Sequence, residues 1–258
     1  LLPNQSLWRN VDLDGDGQWI IEGLRRGSLV VAHDGSFMEH LDRTACYAGL
    51  VIFCTNARRI ATASCVEQTD SDTAGNYRGE LLGGLLLALI MKTAAPFLAD
   101  TPCPAVEIAC DNMGVVIHGQ NRHRPLKEAQ KQADLIRCFR SILKDCTITV
   151  SYVHVYGHQD DKANWDDLTL QQQLNVHADS LAKAVLKKAV RDNSFISSLF
   201  PSESFRVMIG GRKVTSSIKK ALYADWGRRA ARDLMSKRKI VSESNFDKIY
   251  WEGVGAAM

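Results

Sequence analysis

Four carboxylate side chains lie at positions where they can act together on a bound ion. Asp34 interrupts an otherwise apolar strand, SLVVAHDGSF, and Asp111 ends another, AVEIACD. Glu80 and Asp179 lie in segments with helical patterns. A charge inside a buried strand needs a partner to offset its desolvation, and few basic residues lie nearby in the sequence. We therefore expect these four acids to converge on a cation.

The chemistry of such a cluster follows from its ligand atoms. Converging carboxylates repel one another, and hard divalent ions with oxygen ligands, Mg²⁺ first, are what they hold. Two ions roughly 4 Å apart clamp the attacking and leaving oxygens of an in-line phosphoryl displacement. Phosphodiester hydrolysis is therefore the leading hypothesis, although each acid taken alone is better explained as a turn former or a cap.

The elements that must position these acids predict an α/β fold. Hydrophobic patterns indicate strands over residues 28–37, 44–56, 58–68, 105–111 and 147–156. Helices are expected from about residue 74 to a stop before Pro96, at 113–118, at 125–144 and at 170–190, with a polar loop through 160–167. This order predicts a five-stranded mixed sheet flanked by helices.

The charge distribution divides the chain. Residues 206–239 hold eleven basic and two acidic residues, whereas the overall net charge is only +3. The patterns there indicate a small hairpin and a basic helix. The predicted organisation is a lead segment at 1–27, a catalytic domain at 28–191 and a basic C-terminal extension at 192–258.

Five segments in order resemble the motifs of type 1 ribonuclease H. They are AHDGSF (32–37), NYRGELLGGLLLAL (76–89), ACDN (109–112), VYGHQDD (155–161) and NVHADSLAKA (175–184). With a tryptophan-containing lead segment and a basic tail, the chain is similar to ribonuclease H domains of retrotransposon reverse-transcriptase polyproteins. The resemblance implies a ribonuclease H-like fold and hydrolysis of the RNA strand of RNA/DNA hybrids. It also implies a reverse transcriptase domain as a partner in the same polyprotein.

The resemblance implies roles for the acids and for one histidine. Asp34 would bridge two Mg²⁺ ions, for which Mn²⁺ can substitute, Asp179 would complete one ion site, and Glu80 with Asp111 would complete the other. His158, in a Gly-His turn after a strand, would shuttle a proton or help product to leave. The residues expected to contact substrate or to orient the site are Gly35, Ser36, Asn76, Arg78, Asn112 and Asn175.

Two rival functions are compatible with the same fold. A non-catalytic ribonuclease H-like module that binds nucleic acid is the first, although the full acid set argues against it. A DNA-processing nuclease with the same fold is the second, and the motif order does not support it. The basic tail, which carries Tyr223 and Trp226, is expected to bind phosphates, to be a solvated helix face, or to dock a neighbouring domain.

Other sequence patterns argue against a calcium loop, a zinc site and a membrane span. DLDGDG at 12–17 resembles the start of a calcium-binding loop, but the twelfth position of such a loop, which needs a bidentate glutamate, falls on Gly23. We therefore predict a turn before a helix that contains Trp19.

His154 and His158 lack a third ligand for zinc. Seven cysteines without a CxxC pair indicate reduced thiols and a cytoplasmic or nuclear protein. The apolar stretch at 81–91 is too short for a membrane span. The first residue is Leu rather than Met, which is compatible with a piece of a longer protein.

Overall fold

A computed structural model of the chain describes residues 10–69, 73–102, 104–127, 129–192, 196–197, 207–210 and 212–238. Arg206 and Lys239 of the basic tail and the thiol of Cys103 lie outside these residues. The six described cysteines are free, in agreement with the prediction of reduced thiols for that part of the chain.

One mixed sheet forms the centre of the molecule. Its strands are β1 (Val11–Leu13), β2 (Leu29–Ser36), β3 (Ala45–Cys54), β4 (Arg59–Gln68), β5 (Ala105–Cys110), β6 (Thr149–His154) and β7 (Ile196–Ser197). The order is β1-β4-β3-β2-β5-β6, and β7 also pairs with β4. Strands β2, β3 and β4 are antiparallel neighbours, whereas β5 runs parallel to both β2 and β6. The predicted five-stranded mixed α/β sheet is confirmed, with two short strands added to its β4 edge.

Helices cover both faces of this sheet. They are α1 (Gln18–Arg26), α2 (Asn76–Ala94), α3 (Met113–Gln120), α4 (Ala133–Lys144) and α5 (Leu170–Asp192). Successive residues of a strand point to opposite faces, so Val31 packs in the cluster that includes α2, and Ala32 packs with α5. The central strand β2 is therefore buried on both sides, which explains its nearly continuous apolar sequence.

The lead segment belongs to this sheet. Strand β1 pairs antiparallel with β4, and the buried ring of Trp19 donates from Nε1 to the Asp14 carbonyl at 2.7 Å. The side chains of Asp14 and Asp16 accept hydrogen bonds from the backbone N–H groups of Ile60 and Gln18. The first two residues of the DLDGDG segment thus end β1, and residues 14–17 form the predicted turn before the Trp19 helix.

Helix α4 begins eight residues later than predicted. Gln132 has a positive φ of 58°, a conformation that no α-helix can continue through. Its side chain accepts from Arg78 and donates to the Thr73 carbonyl, and these two contacts hold it in place. Pro125 and its neighbours consequently form an irregular segment, and the prediction of a helix over 125–144 was too long.

The basic extension adds a small hairpin and a long helix. Strands β8 (Met208–Ile209) and β9 (Arg212–Lys213) pair antiparallel, and α6 (Ile218–Lys237) follows. The Ala133 N–H donates to the Thr215 carbonyl at 3.0 Å, which joins the connection between β9 and α6 to the start of α4.

One described segment is long and apolar enough to cross a membrane by length and composition. It covers Asn76–Leu98, with a mean hydropathy of 1.9 in its most apolar window, 61% of which is buried inside the protein. Helix α2 carries an acid, Glu80, and packs against the central strands. Its apolar character is therefore explained by its position in the core.

Candidate active site

Three of the four predicted acids meet near the carboxyl ends of the neighbouring strands β2 and β5. Ala32 of β2 lies opposite Ala109 of β5 in the parallel register. Asp34 and Asp111 each lie two residues further on, so they emerge side by side on the same face. Glu80 reaches the same place from α2, and one carboxylate oxygen from each of the three acids lies within 4.8 Å of the other two. The predicted convergence of these three side chains is therefore present in the structure.

Close backbone approach makes this cluster compact. A Cβ atom added to Gly35 would lie 2.0 Å from the backbone nitrogen of Glu80, so only glycine lets β2 come this close to α2. A Cβ atom on Gly157 would lie 2.3 Å from Oδ2 of Asp111. The loop after β6 can thus cross directly over this carboxylate because residue 157 has no side chain.

Burial and like charges dominate the electrostatics of the three acids. Asp34 is 6% exposed and Glu80 is 5% exposed. Burial, followed by the charge of Asp111, raises the pKa of Asp34 to about 7. Burial and the charge of Asp34 raise the pKa of Glu80 well above its ordinary value, and burial raises the pKa of Asp111. Each shift reflects a negative charge that a cation would stabilise.

A buried ligand atom without a partner also fits a cation. Oε2 of Glu80 is buried and has no hydrogen-bond partner among the described residues. A buried carboxylate oxygen without a donor is costly, and an ion at the cluster would satisfy it. The donor set of the three acids consists only of oxygens, which suits Mg²⁺ or Mn²⁺ better than softer ions.

Asp179 and His158 adjoin the cluster without being part of it. The charge of Asp179 contributes to the raised pKa of Asp34, but its Oδ2 is paired with the Lys183 ammonium at 2.5 Å. His158 lies in an exposed left-handed turn with φ 51°, and its charge acts to lower the pKa of Asp111. Both side chains are therefore close enough to interact electrostatically with the three acids.

The structure contradicts the assignment of Arg78 to substrate binding. Its side chain is fully buried, and its guanidinium binds both oxygens of Glu67 at 2.6 and 2.9 Å. It also donates to both oxygens of Asp134 and to Gln132. The guanidinium cannot reach a nucleic acid, because every direction around it is filled by protein. Arg78 is a structural residue that links α2, β4 and α4.

The other predicted contact residues differ in accessibility. Asn76 is exposed at the start of α2, and Ser36 is half-buried at the end of β2. Asn112 caps α3, because its Oδ1 accepts from the N–H groups of Gly114 and Val115. Asn175 is only 2% exposed, so it lies too deep to contact substrate directly and can act only by orienting its neighbours.

Sequence reasoning missed the partners of Arg78 although one of them carried a signal. Glu67 is a charge inside the apolar strand β4, the same pattern that marked Asp34, and it is fully buried. Asp134 and Gln132 carried no comparable signal, because the predicted helix ran through both. The ion pair between Asp179 and Lys183 has the helical spacing of four residues and was therefore readable from the sequence.

A second group of possible ligands lies behind the acids. His33, Glu80 and Cys110 are all buried, and their ligand atoms lie within 4.8 Å of one another. Burial lowers the pKa of His33 to about 3, so the ring is neutral, and neither of its nitrogens has a hydrogen-bond partner among the described residues. His154 instead contacts the Asp111 carbonyl through Nε2 at 3.0 Å.

Comparison with known proteins gives structural neighbours only. No protein-family model and no curated protein matches the chain. LC11-RNase H1 in complex with an RNA/DNA hybrid is 14% identical, with a TM-score of 0.44, and the match covers 63% of this chain and 99% of that chain. The N-terminal RNase H domain of rv2228c from Mycobacterium tuberculosis is 14% identical, with a TM-score of 0.39, and the match covers 64% and 97% of the two chains. RNase H1 from the halophilic archaeon Halobacterium salinarum NRC-1 is 16% identical, with a TM-score of 0.38, and the match covers 62% of this chain and 98% of that chain. Similarities at these levels assign no activity to this chain.

Proposed function

We propose that this chain hydrolyses the RNA strand of RNA/DNA hybrids. The observation that carries the proposal is the convergence of Asp34, Glu80 and Asp111 in a largely buried cluster, where one carboxylate oxygen from each acid lies within 4.8 Å of the other two. The five ordered motifs that resemble type 1 ribonuclease H specify the substrate class. Choice of RNA over DNA requires a contact to the ribose 2′-hydroxyl, and Glu80 is the candidate for that contact.

Mg²⁺ is the proposed cofactor, with Mn²⁺ as a substitute. Asp34, Glu80 and Asp111 would hold it, with Asp179 as the fourth acid after release from Lys183. When bound, two such ions supply positive charge to the attacking and leaving oxygens of an in-line displacement. The raised pKa values and the unpartnered Oε2 of Glu80 support this assignment.

The residues of the chain contribute position and proton exchange. Asp34 lies on the central strand, which is packed on both faces and holds its carboxylate rigidly. Asn76 is exposed one helical turn before Glu80, where it can contact the nucleic-acid backbone. His158 is exposed near Asp111, and an imidazole there can accept a proton from one group and release it to solvent.

The proposed setting of this activity is a retroelement polyprotein with a reverse transcriptase domain. The lead segment with Trp19 and the basic extension with α6 support this setting, because the resemblance to such domains includes both. The setting is tested by determining whether one continuous reading frame encodes both this chain and a polymerase segment; separate reading frames would contradict it.

The decisive experiment is a cleavage assay with a labelled RNA/DNA hybrid. We expect cleavage with Mg²⁺, none with EDTA, and a loss of about 10³-fold for Asp34→Asn, because several kcal/mol of transition-state stabilisation depend on that ligand. Asp100→Asn, which changes an exposed aspartate in a loop, is the matched control and should cleave normally.

Three results would contradict the proposal. Cleavage that survives Asp34→Asn would show that the acid cluster is not the site. Tight hybrid binding without turnover would indicate the non-catalytic module. Equal cleavage of a DNA duplex of the same sequence would indicate a DNA nuclease that ignores the 2′-hydroxyl.

A further inference from the structure

A groove separates the C-terminal helix from the segment that leads into α4. It encloses about 760 Å³. We name it the α6 groove. It is lined on one side by Leu126, Lys127 and Arg137, and on the other by residues of α6 that include Lys219, Tyr223 and Trp226.

The α6 groove combines exposed aromatic rings with basic side chains. Trp226 is 69% exposed and Tyr223 is 61% exposed, and no described side chain of α6 is buried. Lys127, Arg137 and Lys219 line the same groove, and α6 holds six basic and two acidic residues. Among the described residues, the large aromatic side chains of α6 do not belong to the hydrophobic core. Aromatic faces that bind bases, beside cations that bind phosphates, are the usual composition of a surface for single-stranded nucleic acid.

A buried ion network fixes the α6 groove relative to the acid cluster. Lys213, just before α6, contacts Asp134 at 2.9 Å, and both side chains are 3% exposed. Asp134 in turn binds Arg78, which lies two residues before Glu80 on α2. The segment that leads into α6 is therefore joined through buried ion pairs to the first turn of α2, the turn that precedes Glu80.

The chemistry of the lining selects the form of the nucleic acid. Bases in a duplex are paired and stacked on each other, so they cannot stack on Trp226 or Tyr223. Unpaired bases are free to do so, whereas the paired hybrid is the proposed occupant of the acid cluster. We infer that the α6 groove binds a single-stranded extension of the hybrid that the acid cluster cleaves. This inference rests on the proposed hybrid nuclease function.

Binding of labelled oligo(dT) tests the groove directly. Fluorescence anisotropy in EDTA excludes cleavage and reports affinity alone. Trp226→Ala and Tyr223→Ala should each weaken binding by about tenfold, because each removes one stacking platform. Phe97→Ala is the matched control, since Phe97 is 64% exposed but lies beyond the opposite end of α2, and its affinity should equal that of the original protein.

A charge variant provides a second measurement that leaves both aromatic rings in place. Lys219→Gln should reduce the slope of log affinity against log salt by about 0.7, the value for one phosphate contact on a single strand. Lys187→Gln changes an exposed lysine on α5, on the opposite face of the sheet, and should leave the slope unchanged. Equal affinities and equal slopes for all variants would overturn the inference. An absence of oligo(dT) binding would also overturn it.

Hybrids with and without an unpaired DNA extension separate this inference from the proposed function. The extension should tighten binding by about tenfold in the original protein and by less in Trp226→Ala. If the blunt hybrid is cleaved but the extension adds no affinity, the groove assignment fails while the nuclease function stands. If oligo(dT) binding depends on Trp226 but no hybrid is cleaved, the groove assignment stands as a nucleic-acid site and the nuclease function fails.

Discussion

Asp34 shows how one residue can be costly to the fold and useful to the site. Its carboxylate lies on a strand packed on both faces, beside Asp111 and Glu80. Without a cation, burial and like charges favour the protonated form and raise its pKa from 3.8 to about 7. A bound divalent ion would reverse this preference, so the stability of the protein should depend on pH and metal together.

The pH dependence of stability without metal follows from that pKa. Because the folded pKa of Asp34 exceeds the unfolded value, the free energy of unfolding should fall as pH rises from about 4 to about 7. In EDTA at about pH 8, Asp34→Asn should therefore be more stable than the original protein, by about 1 to 3 kcal/mol. Thermal denaturation measures this difference.

The control is Asp100→Asn, which removes an exposed carboxylate. Its melting temperature should equal that of the original protein at every pH. Mg²⁺ should raise the melting temperature of the original protein more at about pH 8 than at about pH 5, because protons compete with the ion at low pH. If Asp34→Asn melts below the original protein in EDTA at about pH 8, the electrostatic description of the cluster is wrong.

At the scale of elements, one buried guanidinium joins three of them. Arg78 on α2 binds Glu67 on β4 and Asp134 on α4, and all three side chains are nearly inaccessible. Lys213 on β9 adds a second cation to Asp134. The network therefore anchors the first turn of α2, and Glu80 lies two residues after Arg78 on the same helix.

Removal of this guanidinium should destabilise the whole fold. Arg78→Met leaves the carboxylates of Glu67 and Asp134 buried without their main partner, and a loss of about 3 to 5 kcal/mol is expected. Urea denaturation measures it. Arg43→Met is the matched control, because Arg43 pairs with Glu39 on the surface, and its loss should be below about 1 kcal/mol. Similar small effects for both variants would show that the network does not hold α2 in place.

At the scale of the whole molecule, the segments on either side of the central domain pack against it. Strands β1 and β7 both pair with β4, and α1 places Trp19 in the main hydrophobic cluster. The lead segment thus covers an edge and a face of the sheet that would otherwise be open to solvent.

Trp19 should be the principal contact of the lead segment. Its ring is 6% exposed, so Trp19→Ala should lower the free energy of unfolding by about 3 to 5 kcal/mol, as expected for a large buried aromatic side chain. Chemical denaturation followed by circular dichroism measures the loss. Trp165→Ala is the control, since Trp165 is 50% exposed and its removal should cost little. If the loss for Trp19→Ala is as small as that for Trp165→Ala, the lead segment does not stabilise the sheet through Trp19.

Elements that depend on local sequence patterns could be predicted, whereas those that depend on distant contacts could not. The strands and the start of α2 were predictable, because alternation and helical periodicity are local patterns that burial imposes. The acids were also predictable, since a charge such as Asp34 in an apolar strand requires a compensating interaction. The late start of α4 was not predictable, because it depends on a contact between Gln132 and Arg78, 54 residues away in the sequence.

The functional residues also divide into features that could be predicted from the sequence and features that depend on the folded environment. The order of elements, the acid types and the ligand chemistry could be predicted from residue identity and spacing. The burial of Arg78, the pairing of Asp179 with Lys183 beside the three clustered acids, and the groove that α6 forms with Lys127 and Arg137 became visible only in the folded chain. The physical reason is that the environment of a side chain, and so its charge and accessibility, depends on elements that meet only when the chain has folded.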